Sequence, residues 1–210
     1  MANIFDLFKQ IAADKPASNL PLTHMVVGLG NPGPKYARTR HNAGFLAIDH
    51  LAEGLGVRID RSKYNALVGE AELEGTRVLL MKPQTLMNRS GEAVGAAASF
   101  YKIAPENIIV LSDDISLEPG RLRVRRKGSH GGHNGLRDIE ARLGSSEYQR
   151  IKIGVGQKPH PDYDLADWVL SEFSAEEMKA LADSFPTVVA GIRKMVQGDT
   201  DGAMQICNKK

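Results

Sequence analysis

The chain has 210 residues, 42% of them hydrophobic and 25% charged, which suits one globular domain, with or without an appendage, that buries a core of useful size. No run approaches the roughly 18 consecutive apolar residues of a membrane span, and Met1 to Asp6 lacks the basic-then-apolar pattern of a secretory signal, so a cytoplasmic location away from membranes is expected. Cys207 is the only cysteine, which excludes an intrachain disulfide and a cysteine-based metal cage, and the net charge of +2 does not by itself ask for a nucleic acid.

Along the chain, Ile4, Leu7, Phe8 and Ile11 share one helical face and predict a short amphipathic helix over 3–13. A linker-like stretch from Asp14 to Pro21 follows, so residues 1 to 22 read as an N-terminal extension and 23–210 as the main domain. Met25-Val26-Val27 predicts a buried strand ending in a glycine-rich loop. Phe45, Leu46, Ile48, Leu51 and Leu55 fit a helix closed by Gly56. Residues 64–73 and 76–81 predict two strands turning at Glu74-Gly75, and an alanine-rich helix is expected over about 91–101. Ile108 to Leu111 predicts a buried strand stopped by Asp113-Asp114. Residues 121–126 alternate Arg with Leu and Val, as in a strand with one basic face. A glycine-rich loop at 128–135 feeds a helix to about 143, Ile151, Ile153 and Val155 alternate as a strand, and 174–207 is mostly helical. This order predicts a single α/β domain: a central twisted mixed β-sheet with helices on both faces. Ligands of such sheets bind beyond the carboxyl ends of the strands, where three polar loops follow three predicted strands.

Each polar cluster admits a plain structural reading beside a chemical one. Gly28-Leu29-Gly30-Asn31-Pro32-Gly33 follows a strand and matches a dinucleotide fingerprint. Pro32, however, removes a backbone donor that a pyrophosphate would use, and Pro34 pushes Gly33 away from a helix start. His41, in Arg38-Thr39-Arg40-His41-Asn42, is either a base near neutral pH or a group at a helix start. Asn88 can cap the following helix or bind a ligand. Asp113 can orient a histidine or begin a turn. His130-x-x-His133 has metal-ligand spacing, but it lies in a flexible glycine loop without a matching acid, so no metal is expected. Arg121, Arg123, Arg125, Arg126 and Lys127 crowd into seven residues, Arg150 and Lys152 into another short segment, and Arg38 and Arg40 flank His41. Such clustering makes either a phosphate-binding surface or a solvated strand and turn.

Taken together, the clusters resemble bacterial-type peptidyl-tRNA hydrolase. GLGNPGPKYARTRHNAGF, KPQTLMNRSGEAV, DDISLEPGRLRV, GSHGGHNGLRDI and RIKIGVG stand in the family's order, over about residues 23 to 195. The resemblance implies hydrolysis of the ester joining peptide to tRNA, with neither metal nor cofactor. His41 matches the catalytic histidine and Asp113 the acid that orients it. Asn31, Asn88 and Asn134 match asparagines lining the peptide and water site, with Tyr36, Met87 and His133 beside them. Arg125 and Lys152 match two cations that grip the tRNA 5′-phosphate, and residues 158–173 correspond to a gating loop and lid. The expected partner is the acceptor end of peptidyl-tRNA, bound by a monomer. Ser112 stands where the family often has His, Asp114-Ile115-Ser116 departs from its usual residues, and the two phosphate positions carry Arg and Lys where the family usually has Lys and Arg. Two other readings stay open: an oxidoreductase binding a nicotinamide dinucleotide, and a non-catalytic RNA-binding protein of the same fold.

Overall fold

In the computed structural model, which describes residues 20–209, the buried apolar runs become strands β1 (Leu22–Gly28), β4 (Thr76–Pro83), β5 (Ile108–Asp114) and β7 (Gln149–Gly154). These four lie parallel at the centre of a seven-stranded sheet of order β2-β3-β4-β1-β5-β7-β6. Shorter or more polar strands take the flanks antiparallel: β2 (Arg61–Lys63) and β3 (Ala66–Leu73) on one side, β6 (Leu122–Arg125) on the other. The predicted helix over 3–13 and nearly all of the predicted linker lie outside the described residues.

Alternation along the strands builds two cores. Val26, Leu80, Ile109, Leu111, Val124 and Ile151 face α1 (Ala43–Gly54), α5 (Ala175–Val196) and α6 (Thr200–Cys207). Met25, Val27, Leu79, Val110 and Tyr148 face α2 (Ser90–Tyr101) and α3 (Asn134–Leu143). Each such fully buried aliphatic side chain contributes about 1.5–3 kcal/mol, so both faces of the sheet are held firmly. The short α4 (Leu165–Leu170) lies over the carboxyl ends of the strands. The α/β reading with helices on both faces therefore holds.

Two expectations change. β5 is not stopped by its aspartates: it pairs with β7 as far as Asp114↔Gly154, because each carboxylate finds cationic or imidazole partners at the sheet end. Tyr64 and Asn65, placed in a strand by their sequence, instead make a left-handed turn (φ 56° and 54°) that adds the short exposed strand β2. Strand order reverses at β1, whose chain leaves towards β4 while β5 on its other side leads to β6 and β7, so a crevice opens above β1 and β5.

Candidate active site

The crevice exists because two glycines let α1 sit directly on the sheet. A Cβ on Gly44 would stand 2.3 Å from the Leu111 carbonyl oxygen, and one on Gly28 would stand 2.4 Å from the Gly44 carbonyl oxygen. This approach brings the loop between β1 and α1 against the end of β5. Leu29 N–H donates to Leu111 O (3.0 Å), and Phe45 N–H donates to Leu29 O (3.0 Å). A Cβ on Gly30 would meet the Phe45 ring at 2.6 Å. Gly28 and Gly30 of the dinucleotide-like fingerprint are thus accounted for by helix and ring packing, and Gly33 by its positive φ of 106°.

Asn42 then fixes the loop's shape. Its amide donates to Asn31 O (3.0 Å) and its Oδ1 accepts from Asn31 N–H (2.9 Å), both buried. Asn31 in turn accepts from Met87 N–H through Oδ1 (2.8 Å), which ties the loop after β4 to the loop after β1. With its oxygen engaged, Asn31 keeps its Nδ2 hydrogens free among the described residues, on the wall of a cavity of about 540 Å³. Asn42 is a role that sequence reasoning missed: an asparagine beside a histidine gives no sign of which way it faces.

His41 lies in a single 3-10 turn, Arg40–Asn42, and its Nδ1 is 2.9 Å from Asp113 Oδ1. The same oxygen is 2.9 Å from His133 Nε2. His133 Nδ1 accepts from Gly135 N–H (3.1 Å) and Leu136 N–H (3.3 Å), capping α3, so its proton sits on Nε2 and is donated to Asp113. Asp113 is buried and ionised, so His41 also donates, from Nδ1, and its Nε2 carries the lone pair. That nitrogen makes no hydrogen bond among the described residues and belongs to the cavity wall. Burial disfavours the charged form of His41, but the Asp113 charge and hydrogen bond outweigh it and raise the imidazole's pKa above its ordinary value. Burial would raise Asp113, yet the two imidazoles hold it far below the usual carboxylate range. The three ligand-type atoms lie within 4.8 Å of one another, a spacing open to a cation, but each is already engaged in these hydrogen bonds.

The remaining expected residues divide. Tyr36, Met87, Asn88, His133 and Asn134 all line the cavity, as does Lys152. Asn88 does not cap α2: the cap position is Arg89, without a side-chain bond, and Asp138 on α3 accepts from Gly91 N–H (2.7 Å) instead. Asn88 is left exposed at the cavity rim. His130 does not join His133; its Nδ1 accepts from Gly132 N–H inside the loop. Lys152 Nζ donates to Asp114 Oδ2 (2.7 Å), and Ser116 donates twice to Asp114 Oδ1, so the departures at 114 and 116 form one small network with that lysine. Arg125 is exposed on β6 and does not line the cavity.

Arg40, read from sequence among cations for a phosphate surface, is buried and serves as a tie. Its Nη2 pairs with both Glu177 carboxylate oxygens (2.8 and 2.6 Å), and Nη1 donates to Ser171 Oγ and Glu172 O. Its guanidinium stacks 3.8 Å over Trp168 on α4. The segment roofing the cavity is thereby fastened to the residue preceding His41.

An aspartate-held imidazole with its second nitrogen on a cavity wall, at the carboxyl end of an α/β sheet, is the equipment of a hydrolase that activates water. A family model described as peptidyl-tRNA hydrolase matches residues 25–210. The peptidyl-tRNA hydrolase of Agathobacter rectalis is 50% identical over 186 residues, covering 88% of this chain and 100% of that protein. That of Caldicellulosiruptor bescii is 46% identical, covering 89% and 97%. The crystal structure of the Acinetobacter baumannii peptidyl-tRNA hydrolase superimposes with a TM-score of 0.84 at 36% identity, over 91% of this chain and 97% of that one. The chain belongs to the peptidyl-tRNA hydrolase family and is an enzyme that hydrolyses peptidyl-tRNA. Among the described residues no helix is long and apolar enough to cross a membrane.

Proposed function

We propose that this hydrolysis runs on His41 as general base, oriented and charge-balanced by Asp113. The observation that carries the reading is the 2.9 Å contact from His41 Nδ1 to Asp113, which leaves Nε2 unbonded at the cavity. Water attacks the ester carbonyl while giving a proton to Nε2. The tetrahedral oxyanion is met by a neutral donor, the Nδ2 of Asn31. As the intermediate collapses, the bond to the terminal ribose oxygen breaks and the imidazolium returns its proton to that oxygen, releasing free tRNA and peptide acid. Asn88 and Asn134, both lining the cavity, offer amides to the peptide backbone beside Tyr36, Met87 and His133. Leu86, Leu165 and Leu170 are 55%, 46% and 39% exposed, and they give the cavity an apolar rim that takes side chains without reading a sequence.

Arg125 and Lys152 share one face of adjoining strands and serve the 5′-phosphate of the tRNA. Contacts of that kind position a nucleic acid without reading its bases. One copy holds every named group, so a monomer acting in the cytoplasm, where its substrate is made, suffices.

The test is hydrolysis of an N-blocked aminoacyl-tRNA by His41→Ala, with circular dichroism as a control for folding. A loss of about 10²-fold or more in kcat with the fold intact is expected; wild-type turnover would remove His41 from the base's role.

A further inference from the structure

The least explained charge in the molecule is Arg150. It is 1% exposed, and among the described residues its Nε and Nη2 have no hydrogen-bond partner. It makes no ion pair among the described residues. Its guanidinium rests 4.1 Å over the ring of Tyr148, whose hydroxyl donates to Leu136 O and whose oxygen is a neutral acceptor beside Arg150, leaving the positive charge without a counter-ion among the described residues. The acids around it are otherwise engaged: Asp114 with Lys152, Glu147 with Lys127, Asp201 with Arg126. Glu140, on α3, lies on the Tyr148 side and does not pair with it. An unpaired buried cation is costly, and arginine does not escape by losing its proton.

The pairing of β6 with β7 shows what surrounds this charge. Arg150 stands directly opposite Arg125, and Lys152 directly opposite Arg123. In a pleated sheet all four then project from one face. Over that face runs the glycine-rich loop. A Cβ on Gly128 would stand 3.5 Å from Arg150 Nη1, and one on Gly131 would stand 4.0 Å from Lys152 Nζ. Both glycines have positive φ (142° and 59°). The loop therefore crosses the two cations with no side chain of its own at either crossing.

We propose that Arg150 is the floor of the phosphate site, completing with Arg125 and Lys152 a three-cation cradle for the 5′-terminal phosphate of the tRNA. This rests on the reading of Arg125 and Lys152 given above. A planar guanidinium offers paired donors to a phosphate, and one already held against Tyr148 loses little freedom on binding. Lys152 also lines the catalytic cavity, so an anion in the cradle lies at the edge of the space holding the ester. The 5′-terminal phosphate is the monoester of the acceptor end, and it presents more charge and more unesterified oxygens to such a cradle than the diesters of the 3′ strand.

The experiment compares kcat/KM on one N-blocked aminoacyl-tRNA with and without its 5′-phosphate, for the wild type, Arg150→Gln, Arg150→Lys and Arg125→Ala. The wild type is expected to favour the phosphorylated substrate. Arg150→Gln should lower that preference about tenfold, the size of one lost charge-assisted contact, chiefly through KM, and Arg150→Lys should restore part of it. An equal loss on both substrates assigns Arg150 to folding alone and overturns the proposal. A preference lost in Arg125→Ala but kept in Arg150→Gln overturns it while sparing the earlier reading. No preference in the wild type, or one kept in Arg125→Ala, sinks the earlier reading itself. Should Arg150→Gln not fold, the side-chain 15N signal of Arg150 in the wild type decides. It should move with a 5′-phosphorylated acceptor-end RNA oligonucleotide and not with its 5′-hydroxyl counterpart; the same response to both overturns the proposal.

Discussion

One oxygen atom organises the chemistry of this site. Asp113 Oδ1 receives an imidazole hydrogen from His41 and another from His133, so a single carboxylate sets the tautomer of His41 and anchors the cap of α3. Replacing it separates these effects. In Asp113→Asn the charge that supports an imidazolium is gone while burial remains, and kcat is expected to fall by about 10²–10⁴. The pH profile gives the sharper reading. On the proposed mechanism His41 acts only when neutral, so kcat/KM should fall as pH drops through its pKa. In the wild type that inflection should lie above the ordinary histidine value, about 6.5, because Asp113 raises the imidazole's pKa against the opposing effect of burial. In Asp113→Asn burial acts alone and the inflection should move below that value. An inflection that stays in place would show that Asp113 does not govern the base. His133→Ala should cost about 1 kcal/mol in urea unfolding through the lost cap, and less activity than His41→Ala. As residue types, His41 and Asp113 were legible in the sequence. Their contact was not, since 72 positions separate them and the meeting depends on how α1 crosses β5.

Elements explain how that contact is reached. The alternation of strand and helix was readable, because periods of 2 and 3.6 leave a mark in any amphipathic segment. Strand order was not readable, because local pattern carries no information about neighbours across a sheet. Nor was the fate of Arg40: a cation between Thr39 and His41 looks like surface charge until Trp168 and Glu177, far along the chain, close over it. Two substitutions test the elements. Gly44→Ala places a methyl group 2.3 Å from Leu111 O, so α1 must lift from the sheet. The expected cost is about 1–3 kcal/mol of stability, with a fall in kcat because His41 rides on the displaced segment. Full activity at normal stability would mean that the close approach of α1 does not position the base. Arg40→Met removes the tie between the His41 turn and the 165–177 segment. Limited proteolysis should then cut that segment faster, and KM should rise for substrates with longer peptides; unchanged proteolysis would separate the roof from Arg40.

For the whole molecule, net charge is a poor guide to RNA binding. A balance of +2 conceals a sheet edge where Arg123, Arg125, Arg150 and Lys152 share one face. How many of these cations meet phosphate is a question of counterion release. Each phosphate neutralised contributes roughly −0.7 to −0.9 to the slope of log affinity against log salt. A cradle gripping the terminal phosphate and one neighbouring phosphate in the same cluster should therefore give a slope of only about −2 for deacylated tRNA. Arg125→Ala should flatten it by about 1, whereas His41→Ala should leave it alone. Arg126 and Lys127 pair with Asp201 and Glu147 at exposed positions, and such pairs are worth about 0–1 kcal/mol. They are therefore free to exchange those partners for RNA. A measured slope near −6 would show that they and Arg121 do so, extending the contact down the acceptor stem and making the basic edge a track rather than a single grip.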